Sequence, residues 1–144
     1  MAQQTRSGNV YIISNIGSFG ENVIKIGMTR RLEPLDRIKE LSDASVPFDF
    51  DIHAMIQSDD APSLENELHK KFEDFRINKV NYKKEFFRVP IQYLRDYATE
   101  KGLKATFTML AEAREYRETL AMLQMSDEQK SRYHLPQEPV NGIE

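Results

Sequence analysis

The sequence predicts one α/β domain of the α+β kind: a small three-stranded antiparallel sheet flanked by helices, with additional helices toward the C-terminus. Three observations carry that expectation. Apolar residues recur with period two in three short runs, the first two joined by a glycine-containing loop. Two stretches opened by prolines then place apolar residues three and four apart, the spacing of one helix face. At 144 residues the chain can bury a core without metal or disulfide staples, but it is too short for a second full domain.

The first strand spans residues 9–14, with Val10 and Ile12 on one face and Tyr11 and Ile13 on the other. Residues 23–28 form the second, with Ile24 and Ile26 opposite Lys25 and Gly27, and residues 15–20 between them read as a hairpin loop that pairs the two antiparallel. A helix starts near Pro34, where proline suits the first turn; Leu35, Ile38 and Leu41 make its buried stripe and Arg37 lies on the flank. Phe48, Phe50, Ile52, Ala54 and Ile56 alternate with Asp49, Asp51, His53, Met55 and Gln57, the clearest period-two run and a third, half-buried strand. Asp59 and Asp60 cap, and Pro62 opens, a helix whose Leu64, Leu68, Phe72 and Phe75 face the core, with Glu65 and His69 one turn apart beside that stripe.

Residues 77–84 are polar and basic and read as a loop, followed by a short extended segment at 85–89. Helices are expected over 91–101, capped by Gly102, and over 107–124. The last one's apolar side, with Leu110, Ala113, Leu120, Met122 and Leu123, suits packing on the sheet or pairing with a second copy. Residues 1–7 read as a disordered tail or the cut end of a longer protein, 8–125 as the domain (core 8–89, C-terminal helices 90–125), and 126–144 as a flexible tail.

Composition narrows the chemistry. With no cysteine there is no disulfide framework and no thiolate zinc site, so any metal must use oxygen or imidazole ligands. No apolar run has signal-peptide length or approaches the roughly 18 residues of a membrane span. The net charge of -3 argues mildly against nucleic acid, but from Ala111 onward seven acids face four bases, which leaves residues 1–110 neutral. Within those, bases gather as Lys25, Arg30, Arg31, Arg37 and Lys39, and again as Arg76, Lys79, Lys83, Lys84 and Arg88. Taken singly, either group is ordinary solvated surface.

The short motifs run in a fixed order: Gly8-Asn9-Val10-Tyr11-Ile12, Ile24-Lys25-Ile26-Gly27 with Thr29, Arg37-Ile38-Lys39-Glu40-Leu41, Val46-Pro47-Phe48, Leu64-Glu65-Asn66-Glu67-Leu68-His69-Lys70-Lys71-Phe72 and Glu85-Phe86-Phe87. Together they resemble the GIY-YIG endonuclease superfamily, in the branch known from phage and meiotically upregulated genes, where Lys stands in place of the second motif's Tyr. Residues 14–23 and 30–34 are similar to a subgroup that ends longer, membrane-associated anti-phage defence proteins.

The resemblance implies a GIY-YIG-like fold and a metal-dependent DNA endonuclease, with one Mg²⁺ or Mn²⁺ held by Glu65. Hydrolysing a phosphodiester requires a positioned nucleophile, a base, and positive charge where the phosphorane gathers negative charge. The resemblance gives Tyr11 the attacking water, Arg37 the scissile phosphate, and Lys25 the place of the missing phenol. His69 completes the catalytic set, and Gly27 and Glu85 support it. Arg30, Arg31, Lys79, Lys83 and Lys84 would track double-stranded DNA. It also implies a cytoplasmic location, tethered to the inner face of the membrane through a missing N-terminal region. Two other readings stay open: a nucleic-acid-binding module that does not cut, and an interaction or assembly domain that forms homo-oligomers through its last helix.

Overall fold

A computed structural model describes residues 6–44, 46–105, 107 and 113–132. The chain divides into two compact units, Met1–Ala113 and Arg114–Glu144. Among the described residues the first holds four strands, β1 (Gly8–Ser14), β2 (Val23–Thr29), β3 (Asp51–Ser58) and β4 (Phe86–Arg88), and four α-helices, α1 (Ile16–Phe19), α2 (Pro34–Asp43), α3 (Ala61–Lys71) and α4 (Ile91–Glu100). The second contributes α5 (Arg114–Leu123) and α6 (Asp127–Arg132).

The sheet is antiparallel in the order β3-β1-β2-β4. It therefore has four strands, one more than the periodicity suggests. The extra strand is the short 85–89 segment, which pairs Phe86 with Lys25, Phe87 with Ile24 and Arg88 with Val23. Phe87 is fully buried and Phe86 packs on Phe19, with ring centroids 4.9 Å apart, so two aromatic anchors hold a strand too short to show a period.

Pleat alternation gives the sheet two different faces. Val10, Ile12, Ile24, Ile26, Ala54 and Ile56 pack with Leu64 and Leu68 of α3, with Phe72 just beyond it, and with Leu94 and Tyr97 of α4. On the other face Tyr11 and Ile13 meet Ile38 of α2, with Leu41 and Met55 at the margin. Leu35 is 58% exposed, so α2 buries a narrower stripe than its sequence suggests. Phe75 leaves the core for a 3-10 turn after α3 (Glu73–Phe75), where it packs edge-on against Tyr93.

Local chemistry explains most boundaries. The 15–20 hairpin loop contains α1, closed by Asn15, whose side chain accepts from the Ser18 amide and donates to the Phe48 carbonyl at 2.6 Å. Asp60 caps α3 by accepting from the Ser63 amide, with Pro62 in the first turn. α4 ends as expected at Gly102, whose φ of +67° lets its own amide reach the Thr99 carbonyl and the Leu103 amide reach Ala98. β3 starts at Asp51, so Phe48 and Phe50 precede the strand.

The β1–β3 register slips between Ile12 and Ile13, making His53 the extra residue of a bulge. Its side chain is buried rather than outward, with Nε2 2.8 Å from Ser14 Oγ. Of the expected 107–124 helix, residues 114–123 are helical; residues 108–112, Leu110 among them, lie outside the described residues, as do 1–5 and 133–144. Among the described residues no helix is long and apolar enough to cross a membrane.

Candidate active site

The site forms where β2 runs on past β4. Strand pairing stops at Lys25, and the next residue, Ile26, has its N–H satisfied by the Glu85 carbonyl at 3.2 Å. A longer β4 would have donated to the Ile26 carbonyl. That position is taken by His69 Nε2, 2.7 Å away. A carbonyl only accepts, so Nε2 carries the ring proton. This bond draws α3 onto the sheet edge and brings Glu65, one turn earlier, with it. The ligand atoms of Glu65, His69 and Glu85 lie within 4.8 Å of one another.

The opposite sheet face reaches the same edge. Lys25 extends its Nζ to 3.0 Å from Glu85 Oε1 and lies 5.9 Å from the centre of the Tyr11 ring. Tyr11 is directly across from Gly27, and a Cβ at Gly27 would stand 2.5 Å from Tyr11 Cζ and 2.8 Å from Cε1. Ordinary carbon contacts are about 3.5–4.0 Å, so only glycine leaves the phenol its seat. From α2, Arg37 approaches the Tyr11 hydroxyl closely enough to act on it by charge and hydrogen bonding. Its NH1 also lies 3.5 Å from Glu40 Oε1, so the ordinary helix ion pair and the site contact coexist.

The electrostatics follow from this crowding. Burial, then the charge of Glu85 and a hydrogen bond with it, push the Glu65 carboxyl up to about 7, against the pull of Lys25. Burial also raises the Tyr11 phenol above its usual value; Glu85 and Glu65 add to the rise, while Arg37 opposes it. The positive field on the phenol therefore comes from Arg37, since Glu85 matches the Lys25 charge at 3.0 Å. Burial holds His69 below the usual histidine value, although its bond to Ile26 and the Glu85 charge resist, so the ring is neutral with one N–H.

The structure thus brings Tyr11, Lys25, Gly27, Arg37, Glu65, His69 and Glu85 together. The five expected DNA-contacting bases are placed less uniformly. Arg31 is committed to Glu40, with NH2 3.0 Å from Oε1. Lys79 Nζ reaches the Glu73 and Asp74 carbonyls at 3.5 and 3.3 Å and helps close the turn after α3. Arg30, Lys83 and Lys84 are exposed. Sequence reasoning missed the Glu85–Lys25 ion pair: it joins residues 60 apart, and nothing short of the β2–β4 register reveals it.

Residues 8–101 match the model of the T5orf172 domain. The chain belongs to the T5orf172 domain family. This family is related to nuclease-like domains of the GIY-YIG and KilA-N kinds, a class of module with nucleic-acid-related function. The T5orf172 match takes in every residue of the cluster and ends just after α4. The chain is also similar to the KilA-N domain-containing protein 315L of Invertebrate iridescent virus 6, at 34% identity over 92 residues, 62% of this chain and 37% of that protein. It thus spans little more than a third of that relative's length. No solved structure matches it at a significant level.

Proposed function

We propose that this T5orf172 domain is a divalent-metal-dependent endonuclease, of GIY-YIG type, that hydrolyses phosphodiester bonds in DNA. The observation that carries the reading is the convergence of Tyr11, Lys25, Arg37, Glu65 and Glu85 on one open sheet edge, from both faces of the sheet.

The donor set fits a hard cation. Burial and the neighbouring Glu85 carboxylate, which together push Glu65 up to about 7, would both favour a divalent ion in place of the proton. Glu65 and Glu85 would hold Mg²⁺ or Mn²⁺ through oxygen, while the His69 Nε2–H, engaged with Ile26, orients α3 rather than ligating. A bound ion supplies positive charge to the phosphate oxygens as negative charge develops.

The chain's own groups do the rest. Arg37, exposed enough to meet substrate, offers a planar fork to two phosphate oxygens. Tyr11, fixed by Gly27 and Arg37, orients the attacking water and takes its proton. Burial holds the phenol's proton on, and Glu85 and Glu65 add to that, so the base role gains from Arg37 and from any neutralising of the two carboxylates. Lys25, paired with Glu85 at 3.0 Å, would be free to meet the phosphate where Glu85 held the ion. Arg30, Lys83 and Lys84 extend the contact along the backbone, and cleavage serves phage defence or a mobile element.

Supercoiled plasmid incubated with the protein and Mg²⁺ or Mn²⁺ becomes nicked or linear, and chelator, Glu65→Ala or Arg37→Ala abolishes this. Plasmid left intact under both ions removes the reading.

A further inference from the structure

Beside the carboxylate pair lies a cavity of about 510 Å³ lined by Asn66, His69, Lys70, Glu73, Arg76 and Tyr82, within the range of roughly 300–1,000 Å³ usual for small-molecule sites. We propose that it receives a single unpaired or extruded nucleobase next to the cleaved phosphate, stacked on Tyr82 and hydrogen-bonded by Asn66. This deepens the endonuclease reading and rests on it.

Position is the first argument. Glu65 and His69 share one row of α3, and Asn66, Lys70 and Glu73 form the adjoining row, so the cavity opens one helix row from the reacting centre. His69 belongs to both, with Nε2 3.9 Å from Glu85 Oε2.

The lining chemistry is the second. Arg76 is 4% exposed and its charge is already matched by Glu73, Nε to Oε2 at 3.1 Å, so the cavity does not present a bare cation to a phosphate. A phosphate entering it would also face the Glu73 carboxylate. A flat neutral group meets better partners: an aromatic ring, an amide that both donates and accepts, and an imidazole ring.

The third is the mounting of Tyr82. The residue is 60% exposed on the 77–84 loop, yet its ring is backed by the Arg76 guanidinium at 4.8 Å, and Arg76 NH1 reaches the Tyr82 carbonyl at 3.4 Å. Phe87, wholly buried, lies 4.8 Å from the same guanidinium. An exposed ring fixed by a buried cation is a stacking platform ready before binding. Lys70 at the rim suits the flanking phosphate.

The test uses fluorescence anisotropy with labelled duplexes in chelator, so that nothing is cut: one fully paired, one with a single unpaired adenine, and one with an abasic site at that position. Wild type should bind the unpaired-base duplex about tenfold or more tighter than the abasic one, the size of one base–aromatic stack. Tyr82→Ala should erase that preference and Tyr82→Phe should keep it, while Asn66→Ala weakens it. Equal affinity for the unpaired-base and abasic duplexes, or a preference that survives Tyr82→Ala, overturns the proposal. Plasmid cleavage is read in parallel: cutting without the base preference sinks the cavity assignment alone, and the base preference without cutting sinks the endonuclease reading while leaving the cavity standing.

Discussion

The sharpest single test of the site's geometry is Gly27→Ala, a change of one methyl at a residue that carries no functional group. The added carbon would stand 2.5 Å from Tyr11 Cζ. Relaxing to van der Waals separation requires about 1 Å of movement. Tyr11 is 2% exposed and packed against Ile13 and Ile38, so the strain is shared between ring and backbone. Overpacking of this kind costs about 1–3 kcal/mol, which lowers Tm by several degrees in a domain of this size. A 1 Å misplacement of a group that orients a nucleophile costs about a hundredfold in rate. Tyr11→Phe separates the two effects, since it removes the hydroxyl without adding bulk: cleavage should fall as far or further, with Tm nearly unmoved. The assay is single-turnover nicking of plasmid at saturating Mg²⁺, read beside a thermal melt. Gly27→Ala cutting within threefold of wild type, at an unchanged Tm, would refute the claim that glycine seats the phenol.

Other consequences are equally concrete. Glu65 holds its proton to about 7 in the folded chain against an ordinary 4.5, so its contribution to stability is full below the lower value and is lost as pH rises through the upper one. In chelator the Tm of wild type should therefore fall relative to Glu65→Gln between pH 5 and pH 8, and Mg²⁺ should restore it at pH 8 but not at pH 5; parallel melting curves would contradict the carboxylate pairing. His69→Ala leaves the Ile26 carbonyl without its donor and loosens α3 from the sheet edge, which should cost about 1–3 kcal/mol and show as faster amide exchange at Glu65 and its neighbours. Arg37→Lys keeps the charge but loses the fork, and nicking should drop at least tenfold with Tm unchanged; full activity would mean that a point charge suffices. Gly102→Ala, at φ +67°, should cost about 1 kcal/mol and leave cleavage intact, because it strains only the end of α4.

Local patterns carried the strands and helices because each buries one face and so repeats with its own period. β1 and β2 were legible to within one residue, and the pleat correctly put Tyr11 and Lys25 on the face away from Ile24 and Ile26. α3 was legible from its cap and proline. What escaped was decided between distant segments. β4 is three residues long and owes its place to Phe86 and Phe87 meeting partners far away in sequence, so no periodicity could announce it. His53 follows the alternation on paper but sits at a bulge, and a one-residue slip turns a side chain to the other face. Leu35 matches a helix stripe, yet the cluster under α2 gathers around Ile38 and Leu41, with Tyr11 and Ile13 of β1 and Ile52 and Met55 of β3, and Leu35 stays 58% exposed.

The short β4 and the position of the site have the same cause. In the fold α3, which carries Glu65, packs on the face opposite Tyr11, and a four-stranded sheet of full-length strands would keep the two residues apart. Because β4 ends at Phe86, the edge of β2 from Ile26 onward stays open among the described residues, and His69 on α3 takes the bond that a strand would have made. Glu85, the first residue beyond the pairing, turns its carboxylate into the same gap and ties Lys25 from the Tyr11 face to Glu65 and His69 from the other. An unpaired sheet edge is normally a liability that invites strand addition. Here the histidine and two carboxylates that block it also gather charge of both signs at a spot reachable from solvent. Lengthening β4 by design, with residues able to pair with Ile26 and beyond, should therefore stabilise the sheet and abolish the site in one step.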